Sequence, residues 1–168
     1  MATTTRLTID EYLARDAGDL RWTELVDGEI VVMEPKPAHA RLQAKLIHAL
    51  ANYEDAGGGV TVFAPTAVRL SEHDLYGPDV VVTRADAPIS ERGWFAELPL
   101  LCVEVRSPTT WRYDIGHKKA TYEARGLPEL WLVDGYASTV LAFRRSAPAH
   151  PAFDVTLELG RASCRERV

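Results

Sequence analysis

A nearly continuous apolar run at residues 98–105 constrains the fold of this chain more than any other feature. Such a run is typical of a central strand covered on both faces, because a strand with one face in water alternates apolar and polar residues. Strand-like and helix-like segments follow one another around it. The sequence therefore predicts an α/β or α+β fold, with a mixed β-sheet flanked by helices.

Turn and capping signals divide the rest of the chain into short elements. Thr8 and Glu11 have the spacing of a capping box and predict a helix at residues 9–15. Apolar spacing predicts a second helix ended by the glycines at 57–59, and a third at 114–125 ended by Gly126. Two-residue turns at Asp27-Gly28 and Asp134-Gly135 are expected to form hairpins, the first of them N-terminal. The expected strands are residues 22–26, 29–33, 60–64, 67–70, 79–83, 98–105, 129–133, 138–143 and 153–159.

Bulk composition is that of a soluble globular protein. The 168 residues suffice for one self-contained core, and 46% of them are hydrophobic and 26% charged. No apolar run is long enough to cross a bilayer, and residues 1–6 lack the apolar core of a signal peptide. Cys102 lies in an apolar run and Cys164 in a polar segment, so neither a disulfide framework nor a cysteine zinc site is predicted. The expected location is the reducing cytoplasm.

The formal net charge of −5 argues mildly against a nucleic-acid partner, because phosphate binding usually leaves a basic footprint. A site that gathers carboxylates around a cation adds negative charge, so the argument is not decisive. Cations cluster in one stretch that contains Arg106, Arg112, Lys118, Lys119 and Arg125. This cluster is either a basic patch or a solvated helix face.

Glu104 and Asp79 are the first candidates for chemistry. Glu104 has only apolar neighbours in its predicted strand, so its carboxylate should be neutral, paired in a structural salt bridge, or bound to a cation. Asp79 directly follows Gly77-Pro78 and opens another strand, where an ordinary turn residue is the alternative interpretation. Two carboxylates on neighbouring strands are a sufficient set of protein ligands for a Mg²⁺ site.

Lys118 is the third candidate. In the predicted helix it shares one stripe with Ile115 and Tyr122, and that stripe should face the sheet. A lysine on an inward stripe needs an anionic partner. The alternative is an exposed pair of Lys118 with Asp114, and Lys119 is a rival for the same role.

Three weaker candidates lie elsewhere. Strand alternation points Glu24 toward the apolar side, and a hairpin carboxylate facing water is the alternative. His39 begins the second helix, where a surface histidine is the simpler interpretation. Trp94 and Phe95 lie in a polar loop and either contact a nucleic acid or anchor that loop to the core.

Several ordered motifs resemble those of the Uma-type family, which belongs to the PD-(D/E)XK nuclease superfamily of restriction-endonuclease-like proteins. The resemblance runs from about Thr8 to Phe143. The motifs are ELVDGEIVVMEP at 24–35, PDVVV at 78–82, VEVRSPTT at 103–110, the D-x-x-x-K-x-x-x-Y spacing at 114, 118 and 122, and GLPELWLVD at 126–134.

The resemblance implies that Asp79 and Glu104 hold Mg²⁺, or Mn²⁺ in its place. Lys118 corresponds to the catalytic lysine of the superfamily, moved from the strand to the following helix, and Glu24 to a helper carboxylate. Arg106 departs from the general pattern, because it stands where the usual E-x-K motif has its lysine. The residues that the resemblance implies in substrate binding are Arg106, Arg112, His39 and Tyr122.

The implied protein is one restriction-endonuclease-like domain over residues 1–160. Residues 161–168 contain three arginines and no periodicity, and are expected to be a non-native or disordered tail. The implied function is metal-dependent hydrolysis of DNA phosphodiester bonds by a homodimer. The alternatives are a catalytically silent nuclease fold that binds nucleic acid or mediates assembly, and a hydrolase of another phosphoester.

Overall fold

The computed structural model describes residues 6–15, 18, 20, 22–107 and 114–160. The predicted substrate contact Arg112 and the predicted tail 161–168 lie outside these residues. The described elements are α1 (Ile9–Leu13), β1 (Thr23–Val26), β2 (Glu29–Val32), α2 (Pro37–Asp55), β3 (Val60–Phe63), β4 (Val68–Arg69), β5 (Leu75–Tyr76), β6 (Val80–Arg84), β7 (Leu101–Val105), a π-helical turn (Asp114–Lys118) that continues into α3 (Lys119–Arg125), β8 (Glu129–Asp134), β9 (Thr139–Arg144) and β10 (Val155–Leu159).

The strands form two sheets. The larger sheet has six strands in the order β10-β9-β8-β7-β6-β3, and the smaller has four in the order β2-β1-β5-β4. Strands β7 and β8 run parallel, with α3 in the connection between them, whereas the neighbouring pairs β6–β7 and β8–β9 are antiparallel. The prediction of a mixed sheet flanked by helices, with an N-terminal hairpin, is confirmed.

Strand β7 is buried along its whole length, as the apolar run predicts. On one face of the large sheet, Cys102 belongs to a core that includes Tyr122 of α3 and Tyr76 of β5. On the other face, Val103 belongs to a core against which Leu46 of α2 packs. Successive strand residues point to opposite faces, so Glu104 shares the face of Cys102 and α3.

Local signals in the sequence have the predicted structural consequences. The Thr8 side chain accepts a hydrogen bond from the Glu11 backbone, and the Glu11 carboxylate accepts one from the Thr8 backbone, which forms the capping box of α1. Asp27 and Gly28 turn the first hairpin with φ values of 52° and 78°, in the left-handed region that a type I′ turn needs. Gly126, at φ 91°, ends α3.

Two features of the fold differ most from the sequence prediction. Strand β5 was not predicted, because its two residues are too few for any alternation to be visible. Strand β8 includes Asp134, so residues 135–138, rather than a two-residue turn, connect it to β9. The Asp134 side chain organises this longer loop by accepting hydrogen bonds from the backbones of Tyr136 (2.9 Å) and Ala137 (3.0 Å).

No helix among the described residues combines the length and the apolar character that a membrane span requires.

Candidate active site

The ammonium group of Lys118 lies inside the protein between two carboxylates. Its Nζ is 2.7 Å from Glu24 Oε2 and 3.2 Å from Glu104 Oε1, and the exposed fraction of the Lys118 residue is 0%. Lys118 is the last residue of the π-helical turn that precedes α3. Such turns occur frequently at functional sites. Because its side chain is buried, the predicted inward orientation of Lys118 is confirmed, and the alternative of an exposed Lys118 is wrong.

Glu24 and Glu104 reach Lys118 from different sheets. Glu24, in β1, is buried and also accepts a hydrogen bond from the backbone N–H of Gly77 at 2.8 Å. Glu104, in β7, is buried and accepts a hydrogen bond from the Tyr122 hydroxyl at 2.9 Å. Burial, together with the neighbouring Glu104 charge, raises the pKa of Tyr122 well above its usual value. Tyr122 therefore remains a protonated donor at neutral pH.

Asp79 lies one residue before β6, at the end of the large sheet. Its Oδ2 accepts a hydrogen bond from the backbone N–H of Val105 at 2.7 Å, so the carboxylate ends the β6–β7 ladder. Val80 pairs with Val103 in that ladder. Continuing this register by one residue sets the backbone of Asp79 opposite that of Glu104.

Besides the Val105 N–H, two residues of α2 contact the Asp79 carboxylate. Gln43 Nε2 donates to Asp79 Oδ1 at 2.9 Å, and His39 Nε2 lies 3.2 Å from Asp79 Oδ2. His39 and Gln43 are four residues apart and so lie on the same face of the helix. The interpretation of His39 as a surface histidine is wrong, since its side chain is 13% exposed and packs beside Asp79.

The buried cluster carries an excess of negative charge when its groups are ionised, because two carboxylates (Glu24 and Glu104) adjoin the ammonium of Lys118. Asp79 adds a further carboxylate to the lining of the neighbouring cleft. Burying unbalanced charge is costly, so this set favours an added cation. Carboxylate oxygens are the ligands that Mg²⁺ prefers, and one or two suffice because the ion keeps several waters. Within the described ranges, no three His, Cys, Asp or Glu side chains form a ready-made metal cage. Any Mg²⁺ ion here would therefore keep several waters, with only one or two carboxylates supplied by the protein.

A cleft of about 290 Å³, which we call the acidic cleft, opens onto this site. Glu24 and Asp79 line it, whereas Glu104 is not among its lining residues and accepts hydrogen bonds from Lys118 and Tyr122. Its lining residues are Trp22, Thr23, Glu24, Met33, Glu34, Pro35, His39, Gln43, Pro65, Thr66, Ala67, Gly77, Asp79 and Ser107. A substrate group entering the cleft therefore meets Asp79 and Glu24 first.

The remaining candidates have different positions. Arg106 follows β7 and forms an ion pair with Asp134 at 2.5 Å, so it lies outside the Lys118 cluster. Lys119 points elsewhere, with its Nζ 4.8 Å from the centre of the Phe143 ring. Phe95 packs edge-to-face on Phe63, with ring centroids 5.2 Å apart, which confirms the interpretation of its loop as anchored to the core.

Gln43 is the contributor to the site that was not predicted. The sequence places it on the helix face of His39, one turn later. The spacing could therefore have predicted Gln43 as a site residue, but only after His39 had been assigned to the site.

Comparison with known proteins identifies the family and the fold of the chain. Residues 9–162 match the family described as "Uma2: Putative restriction endonuclease". A solved structure, described as "a putative nuclease belonging to DUF820" from Anabaena variabilis, is similar with a TM-score of 0.70 at 20% identity. The similarity covers 90% of this chain and 83% of that one, and it shows the fold. No curated protein matches the chain. Because the family match spans nearly all of the sequence, the protein belongs to this Uma2 family.

Proposed function

We propose that this protein is a metal-dependent endonuclease that hydrolyses DNA phosphodiester bonds. The observation that carries the proposal is the burial of Lys118 between Glu24 and Glu104, together with the cleft that Glu24 and Asp79 line. A buried lysine that serves only stability is costly to desolvate, and an apolar residue of similar size would often serve equally well. Charged groups preorganised in a cleft are typical of catalysis by electrostatic stabilisation.

In this proposal Asp79 and Glu104 hold Mg²⁺, with Mn²⁺ as a substitute. The ion supplies a Lewis acid for the phosphate and lowers the pKa of a bound water. The protein's own contribution is to fix the ligands. Gln43 and the Val105 N–H hold Asp79, and the Tyr122 hydroxyl holds Glu104.

Lys118 then acts through its charge and its position. Glu24 holds the ammonium at 2.7 Å and prevents it from turning wholly toward Glu104. An ammonium held there offsets negative charge that develops on phosphate oxygens, or orients the attacking water by a hydrogen bond. Glu24 is thereby a positioning residue for Lys118, and His39 has the same role for Asp79.

The direct test is conversion of supercoiled plasmid to nicked or linear DNA in Mg²⁺, Mn²⁺ or EDTA. We expect cleavage only with the metals, and its loss in Asp79→Ala and in Glu104→Ala, with both variants still folded by circular dichroism. Asp86→Ala is the matched control, because Asp86 is an exposed acid away from the site. Full cleavage by either site variant, purified free of host nucleases, would overturn the assignment.

One observation favours the second candidate, a catalytically silent module that binds nucleic acid. The Asp79 carboxylate already has protein partners on both oxygens, namely Gln43 on Oδ1 and both Val105 and His39 on Oδ2. A metal must therefore compete with His39 or Gln43 for this ligand. Binding of DNA that is equal in Mg²⁺ and EDTA, without cleavage in any metal, would favour the silent module.

We further propose that the protein forms a homodimer. Strand β10 lies at one end of the six-stranded sheet, and its Leu157 and Leu159 are 47% and 58% exposed. Among the described residues β10 is an edge strand, and an edge strand with exposed leucines is suited to pairing with the same strand of a second copy. Sedimentation velocity should give a dimer mass, and Leu157→Lys should shift it to the monomer. A monomer mass for the unmodified protein contradicts this proposal alone.

A further inference from the structure

A second cleft, which we call the basic cleft, adjoins the acidic cleft. It has a volume of about 250 Å³, and His39 and Ser107 line both clefts. Its lining residues are Lys36, Ala38, His39, Arg41, Leu42, Lys45, Val105, Arg106, Ser107, Gly135 and Tyr136. Four of these side chains are cationic and none is acidic, although the whole chain has a net charge of −5. Positive charge is thus locally concentrated beside the site.

The cationic side chains of the basic cleft belong to two parts of the fold, α2 with the residue before it and the end of β7. Arg41 and Lys45 are exposed and lie one turn apart on α2, and Lys36 precedes the same helix. Lys36 is partly offset by Glu34, 2.7 Å away. Arg106 lies opposite, at the end of β7. A chain of phosphates running along the cleft would therefore meet positive side chains from both walls.

Contacts with the β8–β9 loop hold the Arg106 guanidinium in one orientation. Its guanidinium pairs with Asp134 and lies 5.8 Å from the centre of the Tyr136 ring. Asp134 is in turn held by the backbone N–H groups of Tyr136 and Ala137. A preorganised guanidinium loses less entropy when it binds a phosphate than a free side chain does. The β8–β9 loop thus serves as a support for Arg106.

The basic cleft lies next to the residues of the proposed catalytic site. Arg106 is two residues from Glu104, and Arg41 lies between the two α2 residues that contact Asp79. Phosphates along a nucleic-acid strand recur within a few ångströms, so a strand reacting at Asp79 must pass over neighbouring surface on at least one side. The basic cleft provides that surface, and His39 and Ser107 form its boundary with the acidic cleft.

We infer that the basic cleft binds the DNA backbone on one side of the scissile phosphate, through Arg41, Lys45 and Arg106. The choice of DNA rests on the proposed function. The cleft discriminates little between sequences, because phosphate contacts position a nucleic acid without reading its bases.

The test measures affinity for a fluorescently labelled DNA duplex in EDTA, as a function of salt concentration, for the intact protein and for R41Q/K45Q. Each lost phosphate contact reduces the slope of log K against log salt by about 0.9, so we expect a reduction of about 1.8. Glutamine is a good helix former, so α2 should be retained. The control is R92Q/R125Q, which removes two exposed cations outside both clefts and should keep the original slope.

An unchanged slope in R41Q/K45Q, or an equal loss in the control, overturns the inference. Plasmid cleavage in Mg²⁺ separates this outcome from failure of the proposed function. If the intact protein cuts and R41Q/K45Q binds and cuts equally well, the basic cleft is not the DNA path and the nuclease proposal stands. If the intact protein never cuts but R41Q/K45Q loses the salt-dependent binding, the nuclease proposal fails and the cleft is still a nucleic-acid surface.

Discussion

Lys118 places its charge within a buried cluster rather than on the surface. Both of its carboxylate partners have side chains less than 5% exposed, so solvent screens these interactions little. Removing one member of a buried ion pair typically costs about 3–5 kcal/mol, whereas an exposed helix pair contributes about 0.3–0.5 kcal/mol. The two magnitudes differ enough for one substitution to distinguish a buried charge from a surface charge.

Lys118→Met should lower the free energy of unfolding in metal-free buffer by about 3–5 kcal/mol, because Glu24 and Glu104 then lose their shared ammonium. Plasmid cleavage should fall by at least about 10²-fold, the usual scale for a lost charge-stabilising group. Added Mg²⁺ should stabilise this variant more than the parent, since it restores positive charge. Urea denaturation with and without Mg²⁺, together with nicking rates, measures all three effects.

Lys119→Met is the matched control for that substitution. The Lys119 ammonium lies over the Phe143 and Phe153 rings, and such contacts contribute about 0.5–1 kcal/mol. We expect a loss of that size and unchanged cleavage. If Lys119→Met were inactive and Lys118→Met cut normally, the assignment of the catalytic lysine would move to residue 119.

Tyr122→Phe removes the hydroxyl that donates to Glu104, and should cost about 1.5–3 kcal/mol at neutral pH. The tyrosine also produces a pH dependence, because burial and the Glu104 charge raise its pKa in the folded protein. A raised pKa means that this stability is complete below the unfolded value of about 10 and falls as the pH rises above it. Urea denaturation between pH 8 and pH 11 should show a smaller decline for Tyr122→Phe than for the parent. Parallel declines would contradict the buried, protonated tyrosine.

Sequence reasoning identified some residues of the site and not others, for a physical reason. Glu24, Glu104 and Lys118 stand at apolar positions of a strand or helix period, so their burial is visible in the local pattern. Gln43 and His39 meet Asp79 only because α2 packs against the end of the large sheet. No local pattern specifies that packing, since the two segments are 36 residues apart.

At the scale of elements, the β8–β9 loop depends on one carboxylate. Asp134 is buried, which tends to raise its pKa, but hydrogen bonds from Ala137, Arg106 and Tyr136 outweigh this and lower it. A lowered pKa contributes stability above the unfolded value of about 3.9, and the contribution is lost as the pH falls below it. Asp134→Asn should therefore cost about 1.5–3 kcal/mol at pH 7, the range for hydrogen bonds to charged groups.

The measurement for Asp134→Asn is urea denaturation at pH 7 and near pH 3.5, where the difference from the parent should shrink. The variant should also weaken DNA binding in EDTA, because Arg106 loses the partner that directs it. A destabilisation that is equal at both pH values would show that the Asp134 charge does not support the loop.

The elements that sequence reasoning predicted best are those with long patterns or capping signals. The buried run of β7, the capping box of α1 and the glycine that ends α3 have direct local causes. The short strand β5 forms because Leu75 pairs with Leu25 of β1, a contact between distant segments. The π-helical turn at Asp114–Lys118 has no sequence pattern of its own.

At the scale of the whole molecule, acidic and basic side chains are concentrated at different clefts, which the net charge does not show. Acidic side chains converge with Lys118 beside the acidic cleft, and cations line its neighbour, although the chain as a whole is acidic. The local field at a cleft, rather than the net charge, determines which ligand enters. The mild argument against nucleic acid from the charge of −5 therefore has little weight for this fold.

Metal binding should also appear in the stability of the whole molecule, independently of turnover. A ligand that binds only the folded state adds about 2.7 kcal/mol at one hundred times its Kd, because the unfolded chain does not bring Asp79 and Glu104 together. We expect Mg²⁺ to raise the Tm of the parent, measured against NaCl of equal ionic strength.

The variants are compared by the increase in Tm that Mg²⁺ produces. Asp79→Ala loses the hydrogen bonds of Asp79 with Val105 and Gln43, so its Tm without Mg²⁺ will already be lower than that of the parent. That increment should vanish in Asp79→Ala and persist in Asp86→Ala, whose exposed carboxylate lies away from the cleft. Equal increments in all three proteins would show that the cation binds elsewhere, and that Asp79 is the structural end of the β6–β7 ladder and not a metal ligand.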